Sequence, residues 1–276
     1  MPVKPNRTNA SYEAGSLGKT VGGLLAAVIV TALSAAAHAQ APAYSWTGPY
    51  IGLNAGYGWG NSNVKTSTEF SPVGYFATTS VTSINHAGSG DLSPSGFVGG
   101  LQGGFNWQIG YFVLGGEADF EYFPLEDSRT VGPITYPCCA PTAYRLTQKV
   151  ETDWLFTARP RLGLAFDNWL LYVTGGMAVT NVETRFHFTD TFATANASGS
   201  DSDTKVGWTL GGGVEFGITR NWSVRAEYLY VDFGTVSFNS HNLTAFTPSI
   251  AFPANQFKHS ADLQTHIARA AVNFRF

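Results

Sequence analysis

The sequence predicts an all-β fold: an eight-stranded antiparallel up-and-down transmembrane β-barrel, with short turns at one end and long loops at the other. Three observations carry this expectation. Hydrophobicity alternates with period two over stretches of about ten residues, longer than the five or six of a usual globular strand. The connections alternate between tight turns and long polar stretches. Aromatic residues gather at the ends of the apolar stripes, as they do at the two interfaces of membrane barrels. The composition fits. Of 276 residues, 44% are hydrophobic and 14% aromatic, but only 13% are charged, against about a quarter in an average soluble domain. That balance is wrong for a disordered chain or a coiled coil. The two cysteines cannot staple a scaffold. A net charge of −3 offers no basic face to nucleic acid.

The chain opens with Lys4, Arg7 and Lys19 against one acid, Glu13, followed by an apolar run from Val21 through Ala37. Ala37-His38-Ala39 before Gln40 is a small-x-small cleavage pattern. This is the layout of a secretory signal peptide over residues 1–39, leaving residues 40–276 as the barrel. Without those residues the net charge moves from −3 to −5. No later run is long and apolar enough for a membrane-spanning helix.

The expected strands lie near 47–59, 96–107, 111–123, 152–166, 169–186, 205–217, 222–238 and 265–276. The last shows the pattern most plainly. Ala268, Ala270, Val272, Phe274 and Phe276 share one face, and Ile267, Arg269, Ala271, Asn273 and Arg275 share the other. In 111–123, Phe112, Leu114, Ala118, Phe120 and Tyr122 oppose Glu117, Asp119 and Glu121. In 152–166, Trp154, Phe156, Ala158, Leu162 and Leu164 oppose Thr157, Arg159 and Arg161. Glu215 opposes the Trp208, Leu210 and Val214 face, while Arg225 and Glu227 oppose Trp222, Val224 and Tyr228. Gln108-Ile109-Gly110, Asp167-Asn168 and Thr219-Arg220-Asn221 are the tight turns. The polar stretches 60–95, 124–151, 187–204 and 239–260 are expected to be loops. The aromatic ends (Trp59, Trp107, Tyr122, Trp154, Phe166, Trp169, Trp222, Phe274 and Phe276) set the apolar stripe against lipid and the charged stripe inside. An open edge in hydrocarbon would strand backbone N–H and C=O groups, so the first strand must pair with the last. Eight strands enclose a lumen that side chains can fill.

The inward stripe collects Glu117, Asp119, Glu121, Glu215 and Glu227 with Arg159, Arg161, Arg225, Arg269 and Arg275. Buried charges persist when paired, so an ion-pair network that shuts the lumen is the expectation, with an ion path as its rival. His86, His187, His241, His259 and His266 fall mostly in loops, without close metal-ligand spacing. No catalytic site, cofactor or metal is expected. For Cys138-Cys139, a vicinal disulfide, free or intermolecularly paired thiols and a metal site all stand open. The glycine runs Gly99-Gly100 and Gly211-Gly212-Gly213 lack the Lys-Ser/Thr of a phosphate loop and are expected to serve close strand packing or space beneath a bulky neighbour.

Several segments resemble a known family. Trp46-Thr47-Gly48-Pro49-Tyr50-Ile51-Gly52-Leu53-Asn54-Ala55-Gly56-Tyr57-Gly58-Trp59 is similar to the opening strand of small alphaproteobacterial outer-membrane barrels. Gly96 to Trp107 resembles their second strand, and the Trp208 to Glu215 and Trp222 to Tyr228 segments their sixth and seventh. Asn273-Phe274-Arg275-Phe276 resembles the C-terminal signal read by the outer-membrane assembly machinery. The family is the RopB-type, OmpA-like barrels, described as porin-like surface antigens, and the resemblance covers residues 44–276. It implies an eight-stranded barrel in the outer membrane of a Gram-negative cell, with short periplasmic turns and long extracellular loops. The expected role is structural: envelope integrity, with loops presented for contacts or antigenicity. A small porin is the first alternative, and an outer-membrane enzyme or haem-binding surface protein the second. The expected partners are outer-membrane lipid and lipopolysaccharide, the assembly machinery through Phe274 and Phe276, and host or surface ligands at the loops.

Overall fold

A computed structural model describes residues 44–276; the signal-peptide and cleavage residues Ala37, Ala39 and Gln40 lie outside them. The elements are β1 (Gly48–Thr68), α1 (Thr78–Ala87), β2 (Ser89–Leu92), β3 (Ser95–Ile109), β4 (Phe112–Tyr122), β5 (Glu126–Thr135), β6 (Ala143–Phe166), β7 (Trp169–Asp190), β8 (Asn196–Gly217), β9 (Trp222–Ser240), β10 (Thr244–Ala245), β11 (Ile250–Ala251) and β12 (Phe257–Arg275). All pairings are antiparallel, in one sheet of 12 strands. The ladder closes on itself in the order β1-β3-β4-β6-β7-β8-β9-β12, with Tyr50 opposite Arg275 where β12 meets β1. At the turn end, Gly110-Tyr111, Asp167-Asn168 and Ile218–Asn221 link the strands. Gly110 and Asp167 take positive φ (62° and 51°), as tight hairpins of this kind require.

The outward face defines a band. On β1 it runs Pro49, Ile51, Leu53, Ala55, Tyr57 and Trp59, and then turns polar at Asn61, Asn63 and Lys65. Ten residue steps of about 3.3 Å, tilted about 40°, rise about 25 Å, the height of the apolar band of an outer-membrane barrel. Trp107, Phe166, Trp169, Trp222 and Phe276 stand exposed at its turn end, and Trp59, Tyr122 and Trp208 at the other.

The strands do not stop at the band. β6, β7 and β8 run 24, 22 and 22 residues, so most of the expected loops 124–151 and 187–204 is strand. Between β7 and β8 only residues 191–195 connect. The expected loop 60–95 holds the end of β1, α1 and β2; the loop 239–260 holds β10, β11 and the start of β12. The reason is physical. Beyond the lipid the outward positions face water and can be Ser, Thr, Asn or Lys, so the apolar stripe switches to the inward positions. On β7 the outward series passes from Met177 and Val179 to Asn181, Glu183 and Arg185, while Val182, Phe186 and Phe188 point inward without a change of parity.

Two apolar clusters fill the upper lumen. The inner one straddles the rim of the band, from Leu155, Leu229 and Ile267 at band depth to Val64, Leu92, Phe123 and Leu125 beyond it. The outer one packs Phe76, Ile84 and Ala87 from α1 and its approach against Tyr144, Leu146, Phe186, Phe188 and Phe257 of the wall. Helix α1 therefore caps the mouth. Ser83 hydrogen-bonds the Tyr144 hydroxyl (2.7 Å), and Gln148 reaches the Gly88 carbonyl (3.0 Å). At the tip of the β5–β6 turn, Cys138 and Cys139 form a vicinal disulfide.

Candidate functional site

Inside the band, inward positions of β4, β6, β8, β9 and β12 aim their charges at one another. Arg159 donates to Glu117 (2.8 Å) and Asp119 (2.6 Å), and lies 3.5 Å from Glu227. Arg225 bridges Glu117 (2.6 Å) and Glu215 (3.1 Å). Arg161 binds Glu215 (3.0 Å). Arg269 pairs with Glu121 and Glu227 and reaches Asp119 (3.2 Å). All nine side chains are at most 4% exposed. The structure thus brings nine of the ten singled-out charges into one connected cluster. Several carboxylate oxygens are shared by two guanidinium groups, Asp119 between Arg159 and Arg269 and Glu215 between Arg161 and Arg225, which links the pairs into a network.

Arg275 is not part of it. It sits at the turn end, where its guanidinium hydrogen-bonds the Tyr44 hydroxyl and lies 4.6 Å from the Tyr44 ring and 5.0 Å from the Trp46 ring. The expectation that Arg275 joins the lumen pairs is corrected. Its position, six residues beyond Arg269 on β12, carries it out of the carboxylate layer, where aromatic faces take the cation instead. Trp46 is 1% exposed and packs on Val113, Ala165, Leu170 and Tyr172. Residues 44–46 therefore stopper the turn end of the lumen, with the Trp46 amide held by Gln108 (2.6 Å).

The polar neighbours of the cluster were missed in the sequence. Tyr50 donates to Glu117 (2.6 Å) and accepts from Arg161 (2.8 Å). Tyr172 donates to Glu227 (2.7 Å), and the Arg161 guanidinium lies 3.9 Å from its ring centroid. Asn54, Gln102 and Asn273 form a chain that ends on Glu215 (2.9 Å). Ser223 donates to the same carboxylate (2.6 Å). The available signal was parity: Tyr50 and Tyr172 alternate with outward Ile51 and Leu171. Glycine makes the room. A Cβ on Gly104 would stand 2.5 Å from the Tyr50 hydroxyl, and one on Gly213 would stand 2.6 Å from that of Tyr172.

Further out, the histidines are scattered. His266 faces outward at the rim of the band, bound to the Tyr228 hydroxyl (2.6 Å). His86, His187 and His241 are exposed. His259 is buried among Phe186, Phe238 and Phe257, between the hydroxyls of Thr66 and Ser240 (3.0 Å each). Burial pulls its pKa down to about 4. Among the described residues, no group of three or more His, Cys, Asp or Glu side chains could hold a metal ion. At the outermost layer Asp190 accepts from Tyr75 (2.6 Å) and Tyr136 (3.0 Å), and from the Ala195 amide (2.8 Å). Burial and the adjacent carboxylate push both tyrosine hydroxyls above their ordinary range.

A lipid-facing band, a charged interior and a closed antiparallel ladder define an integral outer-membrane β-barrel. The chain belongs to the outer membrane protein beta-barrel domain family, whose model matches residues 25–276. It is 37% identical, over 92% of its length and 93% of theirs, to the 31 kDa outer-membrane immunogenic protein of Brucella melitensis and Brucella suis. It is 27% identical to the 25 kDa outer-membrane immunogenic protein of Brucella abortus, over 72% of this chain and 71% of that one. Among solved structures, Neisserial surface protein A aligns over 83% of this chain and 98% of its own, at 12% identity and a TM-score of 0.33.

Proposed function

We propose that the protein is a non-conducting outer-membrane anchor that contributes to envelope integrity and displays a rigid, polar, antigenic surface outside the cell. In this reading the eight-stranded ring is the membrane-spanning unit, exported behind a cleaved signal peptide of residues 1–39. The turns face the periplasm and the extension faces outward. The observation that carries the reading is the filling of the lumen at three successive levels. Trp46 fills the turn end, the nine-charge cluster fills the band, and the two apolar clusters with α1 fill the upper lumen. In the extension the space between Val64, Gln148, Val150, Phe186 and His259 is only about 20 Å³, and a wider cavity of about 820 Å³ opens beside Thr147, His187, Ser200 and Asn239. Water-facing Ser, Thr, Asn and Lys on the extension fit contact with lipopolysaccharide and with surface ligands. Phe274 and Phe276 at the end of β12 fit recognition by the assembly machinery. No enzyme or cofactor chemistry is proposed, and the relatives carry the names of immunogenic proteins rather than enzymes.

The test is single-channel conductance of the refolded protein in a planar bilayer. Silence from a folded barrel is expected. Silence is also expected after Arg159→Ser with Arg161→Ser, because the apolar clusters still close the extension. Reproducible conductance steps from the native protein would replace this reading with a small porin. Antibody or thiol labelling of a Ser200→Cys variant on intact cells tests the outward placement of the extension.

A further inference from the structure

The wall of the extension is interrupted where β8 and β9 should meet. Within the band they pair from Gly217–Ser223 up to Trp208–Asp232, and there the ladder ends. Both strands continue. β8 stays paired to β7 as far as Asn196, and β9 stays paired to β12 as far as Ser240. Among the described residues, no hydrogen bond joins Ser200–Val206 to Phe233–Asn239. The seam is bounded above by the Ser198 amide on the Asn242 side chain (3.2 Å) and by the Thr244–Asn196 bridge.

The cause of the seam is local. Gly234 takes φ +66°, and its amide is held by Asp232 (2.8 Å). The register with β12 slips between Asp262 and Gln264. This bulge turns β9 out of the β8 ladder at the upper aromatic belt.

The inward positions of β8 also differ from those of its neighbours. Where β7 sets Val182, Phe186 and Phe188 into the core, β8 offers Asp201, Asp203 and Lys205. Asp203 pairs with Lys205 (2.8 Å) yet keeps 53% of its side chain exposed. Residues 202–204 are exposed on both faces of the strand. The other break in the upper wall, between β2 and β5, is different. There Asp127 accepts from the Ser93 amide (2.7 Å) and Arg129 donates to the Ala87 carbonyl at the end of α1 (3.0 Å).

We infer that the β8–β9 seam is a docking edge for an extended, positively charged polypeptide segment, which adds to β8 as a further strand. The inference rests on the extension facing outward, as proposed above. An unpaired strand edge presents alternating N–H and C=O groups at the pitch of another strand, and an extended peptide complements that series. The charge at the seam selects the peptide. Asp201 and Asp203 on β8 and Asp232 on β9 border it, with Lys205 on the same strand and Arg185, opposite Ser200 on β7 and paired with Glu183, as the nearby cations. Charges pointing inward also keep such an edge from pairing with its own copies, so the edge stays available to a basic strand. Seven residues of β8, Ser200–Val206, give the incoming segment a length typical of one strand.

The experiment uses the full-length barrel refolded in lipid nanodiscs. The probes are a heptapeptide of alternating Lys and Thr, the same peptide N-methylated at alternate amides, and a Glu-for-Lys version. Amide hydrogen exchange is read along β8, with β7 as the internal reference. In the free protein, amides in Ser200–Val206 are expected to exchange faster than their β7 partners. The Lys/Thr peptide should protect them. N-methylation or Glu substitution should abolish that protection. Asp201→Asn with Asp203→Asn should weaken binding about tenfold, the worth of two lost cross-strand charge pairs. Exchange in the free protein as slow as in β7 would overturn the inference. Equal binding of the parent and N-methylated peptides would overturn it as well. Neither readout depends on which side of the membrane the extension occupies, so its failure is distinct from failure of the cell-surface labelling above.

Discussion

The same strands build two interiors of opposite kind. Within the apolar band the outward face carries Leu53, Leu171 and Leu210 and the inward face carries Arg159, Arg225 and Glu117. Beyond it the outward face carries Asn63, Arg185 and Ser200 and the inward face carries Phe123, Phe188 and Phe257. Alternation is unbroken through the change on β7, so what differs is the medium outside. Lipid removes any hydrophobic gain from turning apolar side chains inward, and the narrow lumen is then held by ion pairs and hydrogen bonds. Water restores that gain, and the extension packs like the core of a soluble barrel. The two regions should therefore respond differently to the same kind of change.

The largest effect is expected in the charged lumen. Glu121 has Arg269 as its ion-pair partner, so Arg269→Met leaves a buried carboxylate without a cation. A loss of about 3–5 kcal/mol is expected, read as a lower urea midpoint for the refolded barrel. Adding Glu121→Gln should recover part of it, because the cost lies in the orphaned charge. No recovery would mean that the cluster stabilises through shape rather than charge.

A matched pair on β1 sharpens the boundary. Leu53 and Asn63 both point outward, ten residues apart. Leu53→Arg should cost about 2–4 kcal/mol near the middle of the band. Asn63→Arg should stay within about 0.5 kcal/mol. Equal costs would place Asn63 in lipid and lengthen the membrane span.

These comparisons also locate what was legible in the sequence. Strand parity within the band could be read because apolar outward residues and charged inward residues differ as much as side chains can. The inward direction of Arg159, Arg161, Arg225 and Arg269 followed from it. The extension was illegible for the converse reason. Stretches such as Asn196-Ala197-Ser198-Gly199-Ser200-Asp201-Ser202-Asp203 have neither an apolar stripe nor high strand propensity, and their strand form comes from pairing with β7. Helix α1, rich in Thr and Ser, has the same weakness and gains its place from Ile84 and Ala87 against the wall. Arg275 shares the parity of Arg269, and only its depth along the barrel separates their surroundings.

The extension should be the acid-sensitive half. His259 lies beyond the band, with Thr66, Ser240 and Gln148 around it and the cations Lys149 and Arg185 lining the same small cavity. Burial lowers its pKa to about 4, against about 6.5 in an unfolded segment. Its folded form is neutral, so its contribution to stability is full above pH 6.5 and is lost as pH falls toward 4. At pH 5 the loss is about 2 kcal/mol. Proteolysis of the extension should accelerate between pH 7 and pH 5, while the band-embedded strands stay protected. His259→Gln should flatten that dependence. An unchanged profile would assign the acid sensitivity to carboxylates instead.

The smallest effect is expected at the outermost layer, where Asp190 ties together three connections of the extension. Tyr75 comes from the segment before α1, Tyr136 from the β5–β6 turn, and the Ala195 amide from the β7–β8 turn. Tyr75→Phe removes one donor and leaves the carboxylate three, Tyr136 and the Ala193 and Ala195 amides, so about 1 kcal/mol is expected. The loss should appear as faster amide exchange in residues 69–88, with the urea midpoint of the barrel unchanged. Tyr136→Phe should free the disulfide-bearing turn instead. If either change lowered the global midpoint, the cap and the band would unfold as one unit, and the division between the two interiors would be one of chemistry without being one of cooperativity.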